Sequence, residues 1–227
     1  MTETPEAEQR MLAELATRHA GRKLWALYSK VFDAATNTPG PYPWQVEFHN
    51  AGARAHQRML MAANQVGKTR CGAAELAMHL TGTYPPWWEG KRFDHAITAW
   101  VGSKNTEMSR DVVQIELLGP ETEHGTGWVP REKLFGKPKY RQAGLADVVD
   151  VIYVRHASGG FSTCSFKTYE QEQKAWTGKR VDVIWLDEEA PMAIYTEALT
   201  RIINTKGIIY NTVTPLAGAS EVVRHYM

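Results

Sequence analysis

Met59-Leu60-Met61-Ala62-Ala63-Asn64-Gln65-Val66-Gly67-Lys68-Thr69 is the stretch on which the reading of this chain turns. An apolar run of strand length leads into a polar turn and then into Gly-Lys-Thr. Residues 69–80 follow as a helix, apolar on one face. Strand, loop, helix is the order of a phosphate-binding loop. An anion is held best by several inward-pointing backbone N–H groups at a helix start, where the helix dipole favours negative charge. Gly67 lets the chain bend close to a phosphate. Lys68 would set an ammonium on the β- and γ-phosphate oxygens, and the Thr69 hydroxyl would ligate Mg²⁺. Asn64, Gln65, Val66 and Arg70 complete the nucleotide-binding candidates. The glycine that usually opens such a loop is Ala62 here, and Gly-Lys-Thr taken alone reads better as a plain helix start after a turn.

A second segment shifts that balance. Val181-Asp182-Val183-Ile184-Trp185-Leu186 has the length and β-branched content of a buried strand, and it ends in Asp187-Glu188-Glu189. A carboxylate at the C-terminal end of a parallel strand sits beside the crevice where α/β sheets bind ligands. Asp187 would hold Mg²⁺ through its water shell. Glu188 would polarise the attacking water as general base. The bland alternative is an acidic cluster at the start of a helix near Pro191, where negative charge is favourable anyway. A third segment, Gly207 to Pro215, is another apolar strand, ending Thr212-Val213-Thr214-Pro215. Its two hydroxyls can sense a γ-phosphate through water. It also reads simply as a strand halted by a proline.

In order, Trp44-Gln45-Val46-Glu47-Phe48, AANQVGKT, WTGKRVDVIWLDEEAP and YNTVTPLAG resemble the ATPase domain of the large terminase subunit of tailed bacteriophages, over roughly residues 40–220. The single motifs are shared with helicases and other P-loop ATPases, and a helicase-like, nucleic-acid-dependent ATPase is the alternative reading. A two-lobed helicase would need a second half for which this length leaves no room. The resemblance implies an α/β P-loop NTPase of RecA-like (ASCE) type. Its sheet would be mostly parallel and doubly wound, flanked by helices, with an added strand between the loop strand and the acidic strand. It further implies ATP and Mg²⁺ as cofactors, and double-stranded viral DNA, a portal protein and a small terminase subunit as partners. A homo-oligomeric ring in the host cytoplasm is implied as well. Gln45 matches the family's adenine-reading glutamine, with Tyr42 or Trp44 nearby to stack, and Thr212 and Thr214 match its coupling motif. Many relatives carry an arginine inside the phosphate loop where this chain has Asn64. That moves the search for an arginine finger elsewhere, to Arg180 before the acidic strand or Arg201 at the end of the following helix, acting in cis or from a neighbouring subunit. Family members carry a C-terminal nuclease domain, for which the sequence ending at Met227 leaves no room, so no nuclease activity is expected of this polypeptide.

The rest of the sequence sets bounds. With 227 residues, one domain with a sizeable core is expected. A formal charge of +1 exerts no global pull on nucleic acid, although a local patch would suffice for a DNA translocase. The densest basic stretch is Arg131, Lys133, Lys137, Lys139 and Arg141; it reads as a loop that either touches DNA phosphates or is simply solvated. Two cysteines, Cys71 and Cys164, give neither a disulfide framework nor a zinc spacing. No stretch approaches the ~20 apolar residues of a membrane span. Residues 1–39 read as an amphipathic helical arm or lid and a linker, with Met11, Leu12, Leu15, Leu24, Leu27 and Val31 at near-helical intervals. Residues 40–227 then form the ATPase domain. Within it, 95–101 reads as a strand, 105–118 as a helix, and 150–166 as a hairpin about Ser158-Gly159-Gly160. Trp87-Trp88 reads as packing against a loop rather than as a base-stacking pair.

Overall fold

The computed structural model describes residues 24–142, 144–171, 173–215, 218 and 220–227, together with positions 9, 11, 12 and 15. Its centre is one seven-stranded sheet: β1 (Gln57–Met61), β2 (Thr98–Ser103), β3 (Lys139–Tyr140), β4 (Val149–Arg155), β5 (Phe161–Thr168), β6 (Val183–Asp187) and β7 (Ile208–Val213). The spatial order is β1-β7-β6-β2-β5-β4-β3. The first five strands in that order pair in parallel, and β4 and β3 extend the sheet antiparallel. The added strand between loop strand and acidic strand is therefore β7, the strand that ends in Thr-x-Thr.

The two-residue period of the central strands assigns each face to one helix layer. Val183, Trp185, Ile208, Tyr210, Ala99 and Val101 lie in one core cluster with the helix α2 (Lys68–Thr81). Ile184, Leu186, Ile209 and Trp100 lie in a second, under α5 (Met192–Ile203). α2 is buried over nearly its whole length, and its Ala73, Ala74 and Ala77 bring its backbone close to the sheet. At Gly72 a methyl would stand 2.5 Å from the Trp185 ring, so only glycine fits that crossing. Other α-helices among the described residues after position 40 are α1 (Pro43–Ala51), α3 (Thr106–Met108), α4 (Ile115–Leu118) and α6 (Glu221–Tyr226).

The helix expected over 105–118 is split: α3 and α4 flank a π-helical stretch, Ser109–Gln114. Here the buried Gln114 amide turns away to bond both N–H and C=O of Val149 (3.0 and 2.9 Å), a side-chain splice into the sheet edge. Nor is the basic stretch wholly a loop. Lys139 lies in edge strand β3, and Arg141 donates to the Phe166 carbonyl (3.0 Å), which commits it to the fold. The hairpin holds, with β4 and β5 in antiparallel register about residues 156–160. Trp88 is buried, and Trp87 donates its indole N–H to the Tyr28 carbonyl (2.6 Å). Of the N-terminal arm, residues 24–28 are helical and Tyr28 belongs to the main core. Positions 11, 12 and 15 are helical and exposed, and residues 1–8, 10, 13, 14 and 16–23 of the arm lie outside the described residues. Both cysteines are buried as free thiols.

Candidate functional site

The loop between β1 and α2 curls because two of its residues adopt left-handed backbone, Gln65 at φ 61° and Gly67 at φ 86°. Alternation of hand turns successive N–H groups to one side, the geometry of an anion nest. α2 then starts at Lys68 with no side chain capping its first turn, so its free N–H groups and dipole remain available to an anion. Lys68 is largely buried, and its ammonium donates to the Ala63 carbonyl (2.7 Å), folding the side chain back across the loop. Val66 and Arg70 are exposed at the loop and the first helical turn.

Parallel pairing brings the acidic strand to this loop. Asp187 is in register with Thr212 on β7, and Val213 with Met61 on β1, so three strand ends meet in one row. The Thr69 hydroxyl donates to Asp187 Oδ1 (3.1 Å) across 118 residues of sequence. The Thr212 hydroxyl donates to the same oxygen (2.6 Å), and Trp185 Nε1 donates to Thr212 Oγ1 (2.8 Å). Burial pushes the Asp187 carboxyl up to about 6; the Thr212 and Thr69 hydrogen bonds pull against that rise. Glu188, next along, has left-handed backbone at φ 63°. Its N–H donates to the Thr212 carbonyl (2.8 Å), and its carboxylate accepts from the Thr214 N–H (3.2 Å).

The donor set fits a hard divalent cation. Asp187 and Thr69 offer a carboxylate and a hydroxyl that already touch, on a buried strand end beside an anion nest. Mg²⁺ characteristically takes few protein oxygens and fills its shell with water and phosphate. Among the described residues no group of three or more His, Cys, Asp or Glu gathers to hold a metal by itself.

Beside the loop lies a cavity of about 900 Å³ lined by Tyr28, Phe32, Tyr42, Gln45, Gly67 and Arg70, among others. Gln45 is buried; its Nε2 donates to the Gly67 carbonyl (3.3 Å) and its Oε1 accepts from the Tyr42 N–H (2.9 Å). Tyr42 and Trp44 stack with ring centroids 6.1 Å apart. Arg70 lies 5.8 Å over the Trp128 ring. The arginines singled out in the sequence lie elsewhere. Arg180 is exposed just before Val181, and Val181 N–H donates to the Arg201 carbonyl (3.2 Å). Both thus lie beyond the N-terminal end of β6, which is itself about 13 Å along the strand from Asp187 at the usual rise. Arg201 is paired with Glu197 on its own helix. Within one chain the structure does not bring either to the carboxylates.

Two contributors carry no sequence motif. Tyr169 donates its hydroxyl to the Asp187 carbonyl (2.9 Å) and pins the strand end, and Trp185 orients Thr212. Asn64 was legible as a loop residue, but its acceptance of a hydrogen bond from Thr214 (2.9 Å) was not. Each of these contacts acts across the tertiary structure, so only the fold exposes it.

A mostly parallel sheet wound on both faces, with a curled loop before a buried helix and an acidic strand end beside it, is the architecture of the RecA-like P-loop fold. Comparison with known proteins sharpens that class. The family description "Terminase large subunit, T4likevirus-type, N-terminal" matches residues 59–227. The large terminase subunit of Salmonella phage P22 is 37% identical over an alignment 207 residues long that covers 82% of this chain and 41% of that protein. The chain belongs to the terminase large-subunit family. It spans less than half the length of that relative. Two solved structures share the fold at low identity. A point mutant of the large terminase ATPase domain of Thermus phage P74-26 has a TM-score of 0.54 at 14% identity, covering 81% of this chain and 68% of that one. The large terminase of the thermophilic bacteriophage D6E has a TM-score of 0.53 at 13% identity, covering 75% and 38%.

Proposed function

We propose that this chain is the ATP-hydrolysing motor domain of a viral DNA-packaging machine. The observation that supports the reading is the contact of Thr69 with Asp187, which joins the first turn after the loop to the strand end that precedes Glu188. The nest and the Lys68 ammonium would bind the phosphates, and Gln45 would meet the base at the neighbouring cavity. Mg²⁺, held from Thr69 and Asp187, would neutralise charge on the phosphates. Glu188 would take the proton of the water that attacks the γ-phosphorus as the bond to the bridging oxygen breaks. Thr212 at the end of β7 and Thr214 just past it, between loop and acidic strand, are suited to report loss of the γ-phosphate to the segment that follows. Membership in the terminase large-subunit family supports double-stranded viral DNA as the load. A portal protein, a small terminase subunit and further copies of this chain in a ring would be its partners, in the host cytoplasm. Arg180 and Arg201, remote from the carboxylates of their own chain, remain candidates to serve a neighbour's site.

The test is steady-state ATP hydrolysis with Mg²⁺, with nucleotide binding followed in parallel. Lys68→Ala should lose binding. Glu188→Gln should bind normally and turn over about 10²–10⁴-fold more slowly, the range of a lost general base. Normal turnover by Glu188→Gln would show the base to be another group, and a wild type that neither binds nor hydrolyses would reduce the loop to a helix start.

A further inference from the structure

Tyr169 is the first residue past β5, and its N–H donates to the Ser103 carbonyl at the end of β2 (2.9 Å). β2 lies between β5 and β6 in the sheet, so the side chain must cross one strand to reach the acidic strand end. Gly102 leaves room for that crossing. A methyl there would stand 2.8 Å from the Tyr169 ring and 2.7 Å from Trp176 and Leu186. Trp176 backs the tyrosine, with ring centroids 6.1 Å apart. The hydroxyl arrives where three carbonyls converge, that of Asp187 at 2.9 Å and those of Gly102 and Glu188 at 3.3 Å. A phenol has one proton to give, and the shortest contact takes it. Withdrawal from water, with the charges of Asp187 and Glu188 nearby, raises the Tyr169 pKa well above its usual value, so the group stays a donor throughout the neutral range.

The bond to Asp187 acts one residue further on. The carbonyl of Asp187 and the N–H of Glu188 belong to one planar peptide unit. Tyr169 holds the carbonyl, and the Thr212 carbonyl accepts the N–H on the other side (2.8 Å). A peptide plane fixed at both ends leaves its flanking dihedrals little freedom. One of them is the φ of Glu188, 63°. A non-glycine residue keeps left-handed backbone only where its surroundings hold it. The tyrosine supplies that hold from β5, two strands away.

We propose that Tyr169 is a positioning residue for hydrolysis: by fixing the peptide between Asp187 and Glu188 it holds Glu188 in left-handed backbone and so aims the Glu188 carboxylate at the attacking water. This rests on the reading of Glu188 as the base.

The test uses the full chain as wild type, Tyr169→Phe, Glu188→Gln and the double variant. It measures kcat and KM for ATP with Mg²⁺, affinity for a non-hydrolysable ATP analogue, and hydrogen exchange of the Glu188 amide. Phenylalanine keeps the ring against Gly102 and Trp176 and loses only the hydroxyl. Tyr169→Phe should lower kcat about tenfold, the size of one buried hydrogen bond, with KM and analogue affinity unchanged. Its Glu188 amide should exchange about tenfold faster. In the Glu188→Gln background the same change should leave the residual kcat unaltered, because residues that act through one group are not additive. An equal fall in both backgrounds would make the bond a general support of the strand end and overturn the proposal. So would an unchanged kcat in Tyr169→Phe, or a parallel loss of analogue binding. If wild type does not hydrolyse, or Glu188→Gln turns over normally, the reading of the base fails by itself. Exchange then decides the clamp: faster exchange in Tyr169→Phe supports it, and unchanged exchange overturns it.

Discussion

Burial governs the chemistry of Asp187. Water is withdrawn from the carboxylate, which favours its protonated form, and the two threonine hydroxyls recover only part of the lost solvation. A carboxyl whose folded-state pKa is raised contributes stability below its unfolded value, near 4, and loses it as pH rises through about 6. Without a cation at the site, the folded protein should therefore be less stable at pH 7 than at pH 5 through this group. Asp187→Asn removes the buried charge while its amide oxygen can still accept from Thr69 and Thr212, which both bond Oδ1. The variant should gain up to about 3 kcal/mol at neutral pH, from a shift of about two pKa units at 1.36 kcal/mol each. The gain should vanish below pH 4, and metal-dependent nucleotide binding should be lost. Urea unfolding at pH 4 and pH 7.5 reads the difference, and equal stability at both would show that the carboxylate is better solvated than its burial indicates. At this scale the sequence named Lys68, Thr69, Asp187 and Glu188 as a group, because phosphate-loop chemistry ties residue type to spacing. It could not name Tyr169 or Trp185, whose types are those of any core aromatic.

Among the elements, α2 is the one on which the site depends, and it is anchored by a buried polar cluster away from the nucleotide side. Glu75, on α2, is fully buried and paired with Arg58 of β1. Its other contacts are His49 of α1 (2.8 Å) and His79 of α2 (3.4 Å). Burial alone would raise the Glu75 carboxyl, but Arg58 and the two histidines hold it well below the usual carboxylate range. Burial keeps His79 neutral by lowering its pKa. Both shifts act in one direction. A carboxyl with a depressed folded pKa loses its contribution as pH falls through that value. A histidine held neutral loses its contribution as pH falls below its unfolded value, near 6.5. Acid should therefore loosen α2 from β1 and α1. Glu75→Ala, which strands a buried guanidinium, should cost about 3–5 kcal/mol. The loss and its flattened acid limb are measurable by thermal unfolding between pH 4 and pH 8, and a neutral result would mean that water reaches Arg58. Sequence periodicity located α2 within a residue at each end. It could not show this cluster, because a lone Glu on a helix reads as solvent-facing until the packing partner is known.

For the molecule as a whole, the parallel order β1-β7-β6-β2-β5 places the phosphate loop, the acidic strand and the Thr-x-Thr strand at one edge. Any ligand that bridges them binds the folded state alone and stabilises it by mass action. At a hundredfold excess over its dissociation constant, nucleotide with Mg²⁺ should contribute about 2.7 kcal/mol. For a chain of this size that is a rise in Tm of about 5–10 °C. Lys68→Ala should abolish the shift, which differential scanning fluorimetry would report. A shift of equal size in Lys68→Ala would place the ligand elsewhere, the 900 Å³ cavity beside the loop being the first place to look.

The alternation from strand to helix, the Gly-Lys-Thr turn and the Asp-Glu strand end were determined by the sequence alone, because hydrophobic period and phosphate chemistry are local properties. Boundaries shifted by a residue or two, as with β1, which ends at Met61 rather than Ala63. Tertiary structure decided the rest. It decided that the Thr-x-Thr strand lies between the other two, that a π-helical stretch breaks the helix after β2, and that Arg180 and Arg201 stand at the far end of β6. It also decided that Thr214 joins Asn64 to Glu188. These depend on which strands pair and which side chains meet across more than a hundred residues, and that is settled by burying both faces of one sheet at once.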